Sequence, residues 1–292
     1  MKMFQPKLLF LYIVLLFAAS CTKTEDIKIP GNIPPPDHSI DSSTINIYIN
    51  KAYINIVGRE PVGTEKSSAL TILRQNNFSV DNRKQFIQTL LTKPEYNSYL
   101  ITIARSEYLG NADTLDIAQQ IFVYQNALTL VDYAPFYPLI RFEMKRLDTL
   151  QNTLRDMNAG TCTYRDMLRR TVNNYFYDQL NMGTENFVVS TFQNFLFRYP
   201  TNYELAQGKI IVDGQSGLLF LKNGRTKNDY LGIFYNSSDF YEGQVRYIFR
   251  KYVFREPTSA EMAYYANIYK AAGNYKDLQL AVFSLNEYAG TQ

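Results

Sequence analysis

A short turn signature that recurs at a fixed offset from proline constrains this chain more than any other feature. Gly58-Arg59-Glu60-Pro61, Phe197-Arg198-Tyr199-Pro200 and Phe254-Arg255-Glu256-Pro257 each place Arg two residues before Pro, and Glu65, Glu204 and Glu261 each follow four residues after it. Apolar residues precede the three prolines at common offsets: Ile49, Tyr53, Ile56 and Val57; Val188, Phe192, Phe195 and Leu196; Val245, Phe249, Tyr252 and Val253. Steps of three and four put each set on one helical face, so each copy opens with an amphipathic helix ending just before Pro. Proline cannot continue that helix, and Thr201-x-x-Glu204 and Thr258-x-x-Glu261 read as capping boxes that start a second one.

A second half-motif supplies a third helix. Aligned on its last aromatic residue, it reads Phe86, Ile87, Leu90, Leu91, Tyr96; Tyr230, Leu231, Phe234, Tyr235, Phe240; and Leu278, Gln279, Val282, Phe283, Tyr288. Met167, Leu168, Thr171, Val172 and Tyr177 match it once more. Around Pro135 the apolar offsets survive in Val123, Ala127, Leu130 and Val131, but Tyr133 and Leu139 stand where Arg and Glu would be. The sequence leaves open whether a degenerate fourth copy spans 119–177. The fold expected is all-α, with repeated helix-turn-helix-helix units forming a bundle or short array behind an unstructured N-terminal tether.

Three equivalent glutamates would mean three active sites if they were catalytic. Arg59, Pro61 and Glu65, with Arg198, Pro200 and Glu204 and with Arg255, Pro257 and Glu261, are therefore expected to be structural, each Arg–Glu pair tying a helix end to its turn. Capping of this kind stabilises by about 0.5 to 2 kcal/mol. The pattern, seen best in Val57-Gly58-Arg59-Glu60-Pro61 with Lys93-Pro94-Glu95-Tyr96, resembles the domain of unknown function of planctomycete cytochrome-c-associated proteins. It is similar also to the Gly-Arg-x-Pro helical repeat of bacterial surface proteins, itself distantly similar to phycobilisome linker domains. The resemblance covers roughly 45–96 and 184–288. It implies a fold unit and brings no agreed catalytic residues, and without a Cys-x-x-Cys-His it brings no haem.

The first twenty residues carry Lys2 and Lys7, an apolar run from Leu8 to Phe17, and Ala18-Ala19-Ser20 directly before Cys21. That is a secretory signal peptide ending in a lipobox-like site, and the apolar run is about half the roughly 20 residues a membrane-spanning helix needs. Cys21 is the expected lipidated N-terminus, and more than one acyl chain gives stable anchoring. The following stretch to residue 44 contains Pro30, Pro34, Pro35 and Pro36 without apolar period, and reads as a tether. The acidic Glu25 and Asp26 near Cys21 resemble the export signal of Bacteroidota surface lipoproteins. Residues 45–160 are expected to hold the first unit and bridging helices, Ser98–Glu107, Asp113–Leu130 and Pro138–Met157, and 161–292 the second and third units. A glycine-containing segment, 208–228, is expected as a connection in which Ile210–Val212 and Leu218–Phe220 pair as a short hairpin or tuck over the core.

The available chemistry is narrow. The one histidine, His38, lies in the tether, which removes His-based triads and His-ligated zinc from the folded part. Cys162 is then the single thiol left after lipidation, so no internal disulfide is expected, and without a histidine it is expected to be inert. No metal site and no cofactor is expected. The formal charge of +3 falls close to neutral once Lys2 and Lys7 leave, which argues against nucleic acid. With 24 tyrosines, clusters such as Tyr133, Phe136, Tyr137 and Tyr175, Phe176, Tyr177 are either core filling or a binding surface. The functional expectation is an outer-membrane lipoprotein, on the periplasmic face or the cell surface, acting without catalysis as a binding or scaffold subunit for an envelope protein. Glycan capture is the alternative binding reading, and a carboxylate-dependent hydrolase the enzymatic one.

Overall fold

The computed structural model describes residues Ile40–Thr291, so the expected signal peptide, Cys21 and most of the expected tether lie outside the described residues. Those described form sixteen α-helices and one two-stranded sheet, an all-α architecture. Among them no helix is long and apolar enough to cross a membrane.

The first copy comprises α1 (Ser42–Val57), α2 (Gly63–Arg74) and α3 (Val80–Leu91), and α4 (Glu95–Tyr108) follows it. The chain continues through α5 (Thr114–Ala127), a 3-10 turn (Val131–Phe136), α6 (Tyr137–Gln151), α7 (Thr153–Asn158), α8 (Tyr164–Val172) and α9 (Tyr175–Leu180). The second copy is α10 (Thr184–Leu196), α11 (Asn202–Val212), the hairpin β1 (Gly217–Leu219) and β2 (Lys222–Gly224), and α12 (Lys227–Tyr235). The third shares α13 (Ser238–Ile248) with the end of the second, extends it by a π-helical turn (Phe249–Val253), and adds α14 (Ser259–Ala272), α15 (Tyr275–Phe283) and the short α16 (Asn286–Ala289).

Every apolar position that aligns the three first helices is buried, and so is every position of the half-motif in all four of its occurrences, Thr171 and Gln279 included. The periodicity therefore marks one continuous core, which runs from Ile45 to Ala289 and includes residues on both sides of Gly160. The first and third copies meet directly. Tyr48 donates to the Phe283 carbonyl at 2.9 Å, Asn55 to the Tyr288 hydroxyl at 2.9 Å and Lys51 to the Tyr288 carbonyl at 3.1 Å. Arg83, almost fully buried on α3, donates to the carbonyls of Ser284 and Phe78 and to the Asn286 side chain.

Two sequence expectations need correction. Gly208 and Ile210–Val212 lie inside α11, so the hairpin pairs Leu219 with Lys222 and uses Lys222–Gly224 as its second strand. Its two-residue turn is Phe220-Leu221, both at positive φ, a geometry that usually selects Asn-Gly and so leaves no sequence signal here. The stretch Pro138–Met157 is two helices with a break at Asn152.

Close packing against backbone fixes Gly243. A Cβ on Gly243, where α13 crosses α10, would sit 1.9 Å from the Phe195 carbonyl oxygen, and backbone cannot yield cheaply. Gly232, in α12, has nothing within 4 Å of that position. Gly243→Ala is expected to destabilise by about 1 to 3 kcal/mol or more by denaturant titration, whereas Gly232→Ala raises stability by about 0.5 to 1 kcal/mol through helix propensity alone.

Candidate functional site: three arginine clamps and an unclamped fourth copy

Each turn signature builds the same cluster. The first helix ends in a residue forced into the left-handed region, Gly58 (φ 82°), Phe197 (φ 55°) or Phe254 (φ 62°), which turns the chain sharply and aims the next side chain, Arg, back along the turn. Arg59 holds Glu65 through both terminal nitrogens, at 2.7 and 2.9 Å, Arg198 holds Glu204 at 2.8 and 2.7 Å, and Arg255 holds Glu261 at 2.8 and 2.6 Å. One oxygen of each glutamate also accepts the backbone N–H at the start of the second helix, from Val62, Thr201 and Thr258 at 3.0, 2.7 and 2.8 Å. Thr201 and Thr258 complete the reciprocal half of the capping box, whereas Val62 has no side-chain oxygen to offer and makes only half of it. The guanidinium lies over the ring one and a half turns back on the first helix: Tyr53 at 5.9 Å, Phe192 at 5.0 Å and Phe249 at 5.0 Å.

A third group completes each cluster and was missed from the sequence. Glu95 accepts from Arg59 at 2.8 Å, Asp239 from Arg198 at 2.6 Å and Glu287 from Arg255 at 2.7 Å. All three immediately precede the aromatic anchor of the half-motif, Tyr96, Phe240 and Tyr288, so the signal was present one residue from the chosen landmark. The arginine is thus a clamp on three elements at once: the end of the first helix, the start of the second, and the start of the helix that follows the third. The glutamates are about four-fifths inaccessible in the first two copies, with side chains 16% and 14% exposed.

Charge state follows from these contacts. The Arg59 hydrogen bonds, helped by Lys93 and the Val62 N–H, hold the Glu65 carboxyl far below the usual range. Arg255 holds that of Glu261 down to about 2. Burial pushes Glu204 up, but Arg198 and the Thr201 contacts outweigh it and the net direction is down. Each Arg is held more firmly protonated by its partners.

The candidate fourth copy, left open by the sequence, lacks the clamp and carries two helices, α6 and α7, between α5 and α8 where each clamped copy carries one. Tyr133, Leu139 and Phe176 occupy the positions of the arginine, the glutamate and the third acid. The half-motif of α8 and α9 is buried, but the first-half apolar set is not: Val123, Leu130 and Val131 are 49%, 53% and 83% exposed. Helix α5 already stops at Ala127, leaving Leu130 and Val131 to the turn. Phe122, Phe136, Leu139 and Phe142 on the same hairpin are each more than half exposed. Of the two aromatic clusters, Tyr133 and Phe136 are on the surface and Tyr177 is in the core.

Cys162 is buried, and burial pushes its thiol up to about 11, so it holds its proton at neutral pH. Among the described residues no group of His, Cys, Asp or Glu is arranged to hold a metal ion. No protein-family model, curated protein or solved structure matches the chain.

A lysine cannot reproduce the bidentate, planar fork, so Arg198→Lys is expected to destabilise by about 1 to 3 kcal/mol in denaturant titrations. The clamps also set acid sensitivity. A carboxylate held below its unfolded value adds stability that is fully present above the unfolded value, about 4.3, and is lost as pH falls through the folded one. Melting temperature should therefore fall steeply from about pH 4.5 towards 2, the window set by Glu261, and Glu261→Gln should flatten the slope; an unchanged slope contradicts the assignment.

Proposed function

We propose that this chain is a lipid-anchored outer-membrane protein that acts without catalysis, using the open apolar face of the α5–α6 hairpin to dock an envelope protein partner. One observation carries the reading: of the four positions that bury the first helix in the clamped copies, three, Val123, Leu130 and Val131, are presented to solvent around Pro135. Apolar side chains scattered singly on a surface are ordinary, whereas a concentration of them on one hairpin is what a docking surface requires. Aromatic residues and exposed aliphatics in the same place, here Phe122, Val131, Phe136 and Leu139, suit the centre of a protein interface better than a sugar-stacking row.

The anchoring half of the proposal rests on the signal-like segment and Cys21. The resemblance to Gly-Arg-x-Pro repeats belongs to the proposal too, and supports a display scaffold. A non-enzymatic role is supported by the engagement of Glu65, Glu204 and Glu261, whose oxygens are all committed to arginine and backbone donors, which leaves none placed as a general base.

The test is affinity capture of the detergent-solubilised native lipoprotein beside a Val131→Asp/Leu139→Asp double variant. The wild type is expected to bring down a stoichiometric envelope partner and the variant to lose it, with melting temperatures within about 2 °C because both positions are exposed. Equal recovery of the partner with the variant removes the hairpin from the interface. Cys21→Ser should move the protein from the membrane fraction to the soluble one.

A further inference from the structure

On the α6 side of that hairpin, but on different chemistry, lies a cleft of about 550 Å³ between α6, α8 and the start of α12. That volume is in the range of small-ligand sites. Its walls carry Lys145, Arg146, Arg169, Arg170 and Lys227 against a single lining carboxylate, Asp166. Asp166 is already occupied by its own helix start, accepting from the Thr163 N–H at 3.0 Å and the Thr163 hydroxyl at 2.6 Å.

Three of the five cations are neutralised from behind. Arg146 pairs with Glu143 and Asp178, Lys227 with Asp178, and Arg170 with Asp156. Those carboxylates do not line the cleft. They hold the cationic groups in place instead of competing for the space in front of them. The other two cations form no salt bridge among the described residues. Arg169 donates to the side chain and backbone oxygens of Asn228 and acts on Asp229 only through its field, and Lys145 has no acidic partner among the described residues. Lys227 and Asn228 are the first two residues of α12, so the partial positive end of that helix adds to the same field.

The remaining walls are not those of a bare ion site. Phe142 contributes an exposed ring, and Asn173, Asn228, Thr149 and Thr161 contribute neutral amides and hydroxyls. A ring for stacking, neutral groups for hydroxyls and cations outside any salt bridge for an oxyanion form a set complementary to an acidic carbohydrate. We propose that this cleft binds a carboxylated or phosphorylated saccharide, its oxyanion held by Arg169 and Lys145 and its ring laid against Phe142. With its Nη2 held by Asn228, Arg169 offers its Nε–H and Nη1–H donors to the oxyanion, and Lys145 supplies a mobile point charge.

The proposal is independent of the docking reading, and its test does not need the partner. Isothermal titration of the folded protein would compare a galacturonate disaccharide, a sugar phosphate, a neutral disaccharide and inorganic phosphate at two salt concentrations. The expected result is binding of either acidic sugar, weakened by salt, with the neutral sugar and inorganic phosphate each at least about tenfold weaker, a difference of about 1.4 kcal/mol. The preferred acidic sugar tells a carboxylate from a phosphate ligand. Arg169→Ala and Lys145→Ala should each lower affinity about tenfold while leaving the melting temperature in place, since neither side chain holds an ion pair. Phe142→Ala should weaken the acidic sugars and leave inorganic phosphate unchanged. Absence of binding by both acidic sugars, equal binding of inorganic phosphate, or affinity indifferent to Arg169→Ala would overturn the assignment.

Discussion

One guanidinium holding two carboxylates organises each repeat. A bare surface ion pair contributes about 0 to 1 kcal/mol, because water screens it and two long side chains lose freedom. The clamps differ in kind. Arg59, Arg198 and Arg255 are each fixed by a ring behind, a turn carbonyl beside, and two acids from separate helices in front. Immobilising one arginine therefore serves several bonds, and the geometry it enforces positions three helix ends that would otherwise fray independently. The left-handed residue before each arginine is part of the same device. Phe197 and Phe254 carry the strain of that conformation where Gly58 does not, and Gly58 is needed for a second reason: the Tyr99 ring lies 2.3 Å from where its Cβ would be.

The fourth copy shows what the clamp does by lacking it. Its buried half is ordinary, with Met167, Leu168, Val172 and Tyr177 packed as in the other copies. Its first half has the same apolar spacing but no arginine to draw the turn towards the start of α9, and Phe176 offers no carboxylate there. Arg146 takes over a different junction, donating to the Asn173 carbonyl at 3.1 Å and to Asp178 at 2.7 Å, which secures α6 to α8 and α9 but not the α5 end of the hairpin. The stretch that lacks the tie is thus also the one that exposes an apolar face, the surface proposed above for partner docking.

Most of the fold was legible because it repeats. Offsets shared by three prolines and four aromatic anchors identified the buried faces of α1, α3, α8, α10, α12, α13 and α15 residue by residue, since a helix interface has to place apolar groups at steps of three and four. The arginine–glutamate half of each clamp was legible for the same reason. The third acid is masked in the sequence, because Glu95, Asp239 and Glu287 sit at helix starts, where acidic residues are also favoured by the helix dipole. Buried Arg83 could not be read at all: apart from the nearby Phe78 carbonyl, its partners are the Ser284 carbonyl and the Asn286 amide, 201 and 203 residues away, and none of them leaves a local pattern. The cleft was equally invisible, because Lys145, Arg169 and Lys227 meet through three helices that the sequence does not order in space.

Site-resolved hydrogen exchange tests the clamp account most directly. In the wild type, amides in the last turns of α1 and α10 and through the π-helical turn after α13 should exchange far more slowly than those at the end of α5, although all four segments share one apolar pattern. Arg198→Gln should then bring the end of α10 and the start of α11 to the fast rate seen in the α5–α6 hairpin, leaving the first copy unchanged. Equal protection of the end of α5 in the wild type, or an α10–α11 turn indifferent to Arg198→Gln, would show that packing alone closes these repeats and that the clamp does not.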